Sequence, residues 1–491
     1  MGYIIGVDVG SQSVKALMMD SEGAELATAS AECTMRHPAA GWAEQQPDEW
    51  TRSLASVVRE VRARAGVHAE DVEMLGLACQ VDGLVALDSR LDALRPAIIW
   101  LDRRATDQSA ALCRAVGEGE LVACTGLNPD ASHTAPKAMW LRDEEPALYA
   151  RTRWLAPVGG HLTGWLTGEV VQDHATASST LLYDLGTRAW SDQLVELAGL
   201  DAARLPPIRS ASEVIGPLRP AAADELGLTR NCQVVVGTGD DHAAALGAGA
   251  LSPRVVVDIT GTAEPVAVPS AEVVFDERRV VETHAHAVDD MLLVENPGFV
   301  SGGSTRWLSA VHGISQAELF LHAESAPPGA DGVLFLPSLS GATAPRWNDR
   351  MRGAFAGLAM SHDLTHLSRA VLEGCAYALR DIIERFSAMG LAGDEVRVVG
   401  GGARSRLWLQ IKADVTGWPM RPVRGDAATS TGAAMLAAVA AGVFHDLPEA
   451  AARCVHVDPE PVLPRAETAE IYLEAYARYQ RLFDGVEEAI A

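Results

Sequence analysis

One short pattern occurs twice in this 491-residue chain, and it limits the fold more than any other feature. Near the start, Ile4, Ile5 and Val7 form a β-branched run that ends in Asp8-Val9-Gly10-Ser11, and a second apolar run follows at Ala16 to Met19. Near the middle, Val255-Val256-Val257 leads into Asp258-Ile-Thr-Gly261-Thr262, and the apolar Val266 and Val268 follow. Each half thus opens as a strand, a turn carrying Asp, Gly and a hydroxyl residue, then a strand again. Such self-similarity points to an internal duplication, with the junction in the Leu251–Pro253 region. The expected units are residues 1–250 and 251–445, followed by a charged extension over 446–491 that reads as a peripheral C-terminal helix. The length agrees, since about 150 residues per domain gives two or three domains.

Around the two turns the pattern is α/β. Pro47 suits the first turn of a helix whose buried stripe is Trp50, Leu54, Val57, Val58 and Val61. The apolar runs Leu75–Cys79, Ala97–Trp100 and Val234–Val236 each lead into polar residues, and the small residues from Ala243 to Ala250 suit a tightly packed helix. Leu364 to Phe386 keeps helical spacing up to a stop at Gly390, and Val396–Val399 runs into Gly400-Gly401-Gly402-Ala403. Strands alternating with helices, with polar residues at strand ends, predict an α/β architecture whose sites lie at those ends.

Charge narrows the partners. With 40 Lys and Arg against 65 Asp and Glu, the formal charge is −25. A surface that negative repels phosphate backbones and anionic lipid, so no nucleic acid and no membrane is expected as a partner. Oriented backbone amides can still hold a small anion such as a nucleotide. The first residues lack a basic region and turn polar at Asp8, so no export signal is expected. The uncharged stretch from Ala427 to Phe444, mostly Ala, Gly, Thr and Ser, reads as a close-packed buried helix rather than a membrane span. Seven cysteines without a C-x-x-C pair read as buried thiols in a reducing compartment, so a soluble, cytoplasmic protein is expected. Only three of the 40 basic residues are lysines, Lys15, Lys137 and Lys412, and none follows a glycine. Without the G-x-x-x-x-G-K-[ST] loop, an ATP site needs a different architecture.

The two turns are candidate phosphate holders. Within Gly6 to Lys15, the bend Gly10-Ser11-Gln12-Ser13 can point successive N–H groups into one concavity that suits phosphates, and Asp8 can hold a hydrated Mg²⁺. Gly261-Thr262 can close on the same phosphates from the other side. Either turn alone reads equally as an ordinary β-turn; the pair in a duplicated setting favours phosphate. The glycines at 400–402 with Ala403 admit a flat ligand such as adenine, or make a tight strand–helix corner. Gly239-Asp240-Asp241 lies where a strand ends and a helix begins. A carboxylate there can accept the proton of a hydroxyl attacking a phosphoryl group, its pKa lowered by the positive helix end, or can simply cap the helix. In the expected division Asp241 caps and Asp240 works. Gln80, Asp82, Asp102, Arg103 and Trp42 can form a polyol pocket beside an apolar wall, although each alone reads as an ordinary surface or core residue. His284-Ala-His286 has same-face strand spacing without a visible third ligand, so it reads as a half-buried strand rather than a metal site.

Longer motifs then become specific. Ser132-His-Thr134-Ala-Pro-Lys137-Ala-Met-Trp140-Leu141-Arg-Asp143-Glu144 resembles one signature of the FGGY carbohydrate kinase family, with Ala138 in place of a larger apolar residue. Gly353-Ala-Phe355-Ala-Gly357-Leu358 followed after seven residues by His366-Leu367-Ser-Arg-Ala370-Val371-Leu372-Glu373 resembles the other throughout. The resemblance implies two actin-like (ribonuclease H-like) domains of the actin/hexokinase/Hsp70 superfamily with an interdomain cleft, using ATP and Mg²⁺. It implies Asp240 as catalytic base, Asp8 as the Mg²⁺ partner, and Gln80, Val81, Asp82, Asp102, Arg103, Trp42 and Asp241 around the sugar. Gly10, Ser11, Gln12, Ser13, Lys15, Gly261, Thr262 and Gly303 would serve the ATP phosphates, with Gly401, Gly402, Ala403 and Ser405 toward adenosine. Trp42-Ala-Glu44-Gln45-Gln-Pro47, Trp100-Leu-Asp102-Arg103-Arg104 and Phe335-Leu-Pro-Ser-Leu-Ser340-Gly341 are similar to the xylulokinase branch, which implies D-xylulose as acceptor. Val81-Asp82-Gly83 stands where that branch has Met-His-Gly, Asp241 where it has Asn, and Ala342-Thr-Ala-Pro345 where it has Glu-Arg-Thr-Pro. Ribulose, a deoxyketose, erythritol or glycerol stay open as acceptors, as does an actin-like ATPase switch. Dimers occur in the family, which leaves a homodimer open.

Overall fold

A computed structural model describes residues 2–391, 393–425 and 427–490, and it contains the same sheet built twice. The first sheet uses β1 (Tyr3–Val9), β2 (Ser13–Met19), β3 (Glu25–Glu32), β4 (Val72–Cys79), β5 (Val214–Pro217) and β6 (Gln233–Val235) in the order β5-β6-β4-β1-β2-β3. The second uses β7 (Val255–Thr260), β8 (Ala263–Ser270), β9 (Glu282–Ala285), β10 (Leu292–Val300), β11 (Glu395–Gly400) and β12 (Met420–Pro422) in the order β9-β10-β8-β7-β11-β12. In both, an opening hairpin extends into an antiparallel meander, and a later strand joins parallel on the hairpin's other side. The duplication inferred from two short turns is therefore a duplication of topology.

Eight helices matter for the site: α1 (Pro47–Ala65), α2 (Thr134–Glu144), α3 (Asp240–Gly247), α4 (Gly302–His312), α5 (Leu364–Ala388), α6 (Arg406–Thr416), α7 (Ala428–Ala440) and α8 (Ala469–Ile490). α1 starts at Pro47 with Asp48 and Glu49 in its first turn and stops at Gly66 in the left-handed region, and its stripe from Trp50 to Val61 is fully buried. Successive β1 side chains alternate between faces: Ile5, Val7 and Val9 pack with α1, while Ile4 meets α7.

That last contact exposes a crossover. α3 follows the first sheet in the chain, yet Ala245 and the adjoining Ala248 and Ala250 pack on Val257, Ala267, Leu293 and Val399 of the second sheet. α7 follows the second sheet, yet Ala434, Met435, Ala437 and Ala438 pack on Ile4, Leu17, Met74 and Val235 of the first. The two helices also cross each other. A Cβ on Gly432 would overlap the Ala243 carbonyl, and one on Gly247 the Ala428 carbonyl, so the crossing needs glycine at both places. The small-residue composition of both segments, legible in the sequence, is what lets the backbones approach.

The last helix differs from expectation. α8 is not peripheral: Tyr472, Tyr479 and Phe483 are fully buried, and the Tyr472 hydroxyl donates to Glu373 of α5 at 2.8 Å. All seven cysteines are free; Cys79, Cys232, Cys375 and Cys454 are buried as expected, whereas Cys33, Cys113 and Cys124 are only half-buried. No helix among the described residues is long and apolar enough to cross a membrane.

Candidate active site

The C-terminal ends of β1, β7 and β11 open on a cleft of about 1010 Å³, lined by Asp8 and Lys15 on one wall and by Thr260, Gly261, Gly400 and Gly401 on the other. Strand ends are where open α/β sheets bind ligands. Each hairpin bend closes on itself, Gly10 N–H donating to the Ser13 carbonyl at 3.1 Å and Gly261 N–H to the Ala263 carbonyl at 2.9 Å. The bends also meet, since Gln12 Nε2 donates to Thr262 Oγ1 at 3.3 Å. Gly303, at the start of α4, donates its N–H to the Thr262 carbonyl at 3.0 Å, and the Arg306 guanidinium donates to the Thr262 hydroxyl. Gly400 has φ 83° with the Thr260 carbonyl 2.6 Å from where a Cβ would sit, so strand β11 can turn toward the cleft only through glycine. Gly401, Gly402 and Ala403 form the short turn beyond it. The Ser405 hydroxyl accepts from Trp408 N–H at 3.2 Å and so caps α6.

Asp240 begins α3. The cap is Gly239 rather than Asp241, which corrects the expected division of labour. Asp240 Oδ1 accepts from Asp241 N–H at 3.2 Å at the strand–helix junction. The helix end does not win: burial, with Asp82 adding, raises its carboxyl to about 6. Burial and Asp240 likewise push Asp8 up to about 7 against the pull of Lys15, its cross-strand partner on β2. Asp241 is raised well above the usual range by burial and by Asp240, Glu295, Asp82 and Asp8. Among the described residues no group of three or more His, Cys, Asp or Glu side chains has the arrangement of a metal cage. Asp8, a carboxylate beside the Gly10 turn in the cleft, does fit Mg²⁺, which keeps most of its water and takes one or two carboxylates plus phosphate oxygens.

These shifts fix the pH behaviour. A base at Asp240 would have to shed its proton, and in that role kcat/KM is expected to fall as pH drops through about 6. A pH–rate profile whose acid limb lies at the ordinary carboxylate value of about 4 would contradict this. For stability the sign is opposite. Raised carboxyl pKa values favour the fold most below about 4. That contribution is lost as pH rises through the folded values of about 6 and about 7, so Tm of the ligand-free protein should decline over that window.

On the far side of Asp240 lie the residues read as a polyol pocket. Asp82 sits at φ 59°, its carbonyl accepting from the buried Lys137 ammonium at 2.5 Å and its carboxylate 3.4 Å from His133 Nδ1. Burial opposes charge on His133, but Asp82, Glu282 and Asp130 outweigh it and hold its pKa at about 9. Gln80 Nε2 donates to Gln45 at 2.9 Å, and Gln45 to the Ser11 carbonyl at 2.8 Å, linking this pocket to the first hairpin turn. Arg103 pairs with Asp130. Asp102 is occupied elsewhere. It is fully buried and accepts from Ala43 N–H at 2.6 Å, from Arg104 N–H at 2.9 Å and from the Arg104 guanidinium at 2.9 and 2.7 Å. Instead of meeting a ligand it aims Arg104, whose guanidinium lies 3.6 Å over the Trp42 ring. Trp42 in turn meets Trp140 of α2 edge-on at 5.5 Å.

Sequence reasoning missed a buried layer behind Asp241. His242 lies 5.7 Å from His284 and 6.4 Å from His286, ring to ring, and His284 Nε2 is 3.3 Å from Glu295. Burial drives His284 and His286 down to about 4 and Glu295 up to about 8. Strand β9 is buried throughout rather than half-buried. The only sequence signal was the His-x-His spacing; His242 joins it from α3 through tertiary packing.

The geometry coincides with a known architecture. The model of the FGGY family of carbohydrate kinases matches twice, its N-terminal domain over residues 3–247 and its C-terminal domain over residues 259–441. The chain belongs to this family. As an FGGY kinase it is 30% identical to the xylulose kinase of Escherichia coli (strain K12) over 97% of this chain and 96% of that one. It is 29% identical to the glycerol kinase of Burkholderia multivorans (strain ATCC 17616 / 249), with 91% of each chain covered. In structure it matches the xylulose kinase from Rhodospirillum rubrum with a TM-score of 0.89 at 28% identity, over 99% of both chains. This chain is thus an FGGY sugar kinase, a phosphotransferase acting on a carbohydrate hydroxyl.

Proposed function

We propose that this FGGY kinase transfers the γ-phosphoryl group of Mg-ATP to a hydroxyl of a neutral open-chain ketose, with D-xylulose as the substrate. The observation that carries the proposal is Asp240, a half-buried carboxylate at the start of α3, near enough to Asp8 of the cleft to raise its pKa and near enough to Asp82 of the polar pocket to be raised by it. Bound Mg-ATP supplies an electrophilic phosphoryl group whose charge the metal partly cancels. Gly10 to Ser13, Lys15, Gly261, Thr262 and Gly303 hold the phosphates, Asp8 faces the hydrated metal, and Gly401, Gly402 and Ala403 with Ser405 behind them border adenosine. Asp240 orients the attacking hydroxyl and takes its proton. Gln80, Val81, Asp82, Arg103 and Asp241 meet the sugar, and Trp42 with Asp102 supports them.

Charge supports a neutral acceptor. Asp240, Asp241 and Glu295 have their carboxyl pKa values raised by burial and by neighbouring acids, Asp82 among them in each case. A sugar acid would add another negative charge to that cluster, while a ketose hydroxyl can donate to it. The relatives named xylulose kinase support D-xylulose within the neutral class. D-Xylulose is expected to raise Tm in the presence of Mg²⁺ and a non-hydrolysable ATP analogue, and D-gluconate is not. The reverse order would sink the neutral-ketose assignment.

A further inference from the structure

We propose that Lys412 is a positioning residue for phosphoryl transfer, holding the Gly261–Thr262 turn from beneath through Asp258, Thr260 and Glu264. Its ammonium, on α6, donates to Asp258 Oδ2 at 2.6 Å and to the Thr260 hydroxyl at 2.7 Å, and it pairs with Glu264 Oε1 at 2.9 Å. Thr260 ends β7 and Glu264 lies near the start of β8, so one buried cation ties both strands that carry the turn. The network continues toward the cleft. The Thr260 hydroxyl donates to Asp258 Oδ1 at 2.9 Å, the Ser301 hydroxyl donates to Glu264, and Ser301 N–H donates to the Thr262 carbonyl at 3.2 Å.

Comparison of the two repeats isolates what is special here. Asp8 stands two residues before Gly10 and Asp258 three residues before Gly261, so the two carboxylates point to opposite faces of their strands: Asp8 lines the cleft with Ile259, and Asp258 is fully buried against Lys412. The chain also keeps only three lysines among its 40 basic residues. Lys15 lines the cleft, Lys137 lies under Asp82, and Lys412 lies under Thr260. At Lys412 three acceptors surround one small cation, a task for a compact ammonium and not for a planar guanidinium fork.

The proposal rests on the phosphate-holding role of the Gly261–Thr262 turn, so the experiment tests the two separately. Lys412→Met and Lys412→Arg are expected to lower kcat/KM for ATP about 10-fold to 100-fold, the scale of a displaced positioning group, with KM for the sugar changed about twofold at most. An Asp258→Asn/Lys412→Met double variant removes the pair together and guards against simple unfolding. Recovery of its Tm without recovery of kcat/KM for ATP is the expected result. Recovery of both, or wild-type kinetics in folded Lys412→Met, would show that Lys412 is structural only. Thr262→Val is the separate control. If it lowers kcat/KM for ATP while the Lys412 variants do not, the positioning role alone falls; if it changes nothing, the turn's phosphate role falls and the positioning role with it.

Discussion

An Asp240→Asn enzyme is expected to lose about 10²-fold to 10⁴-fold in kcat, the usual contribution of a positioned general base, while binding Mg-ADP about as tightly as the parent. The amide keeps the shape of the carboxylate and can still accept from the Asp241 N–H. It cannot take the proton of the attacking hydroxyl. Removing one of the mutually crowded acids also relieves Asp241, whose carboxyl pKa is raised in part by Asp240. The variant should therefore melt above the parent at pH 8 in the absence of ligand. Turnover within about tenfold of the parent would remove Asp240 from the base role.

The second large effect is structural. Gly432→Val drives a branched side chain into the Ala243 carbonyl at the α3–α7 crossing, where α7 sits on the first sheet and α3 packs on the second sheet through Ala245 and on Ala78 of the first through Ala243. Overpacking typically costs about 1–3 kcal/mol, and here the obstacle is backbone that cannot rotate away, so a loss of about 3 kcal/mol or more is expected. Urea unfolding of the variant measures it directly. Because the crossing joins the two halves, the midpoint should fall for tryptophan probes on both sides, such as Trp50 and Trp408, which are buried in different cores. A drop confined to one core would contradict the crossover as the element that couples them.

How legible all this was depends on the range of the forces. The two hairpin turns and the α1 stripe follow from local chemistry, glycines at bends and apolar residues on one helical face, and both read correctly from the residues. The tight packing of α3 and α7 was visible in their alanines and glycines, but the sheet each one covers was not, because that choice is made by contacts between distant parts of the chain. α8 looked peripheral because its charged residues outnumber its tyrosines; burial of Tyr472 and Tyr479 is decided by α5 and α6, which the local pattern does not include. At Asp240 the helix end suggested a lowered pKa, and burial beside Asp82 reversed the sign. Asp102 looked free for a ligand, yet Arg104 and the Ala43 amide claim it. In each case the residue type was right for a site, and the neighbours that fix its task came from other segments.

The most direct test of the central claim is ADP release by the purified protein with Mg-ATP, compared across D-xylulose, D-ribulose, glycerol and D-gluconate. The account predicts strong stimulation by D-xylulose, weaker stimulation by the other neutral acceptors and none by D-gluconate. Preferential phosphorylation of the sugar acid, or sugar-independent ATP hydrolysis at the same rate, would contradict it.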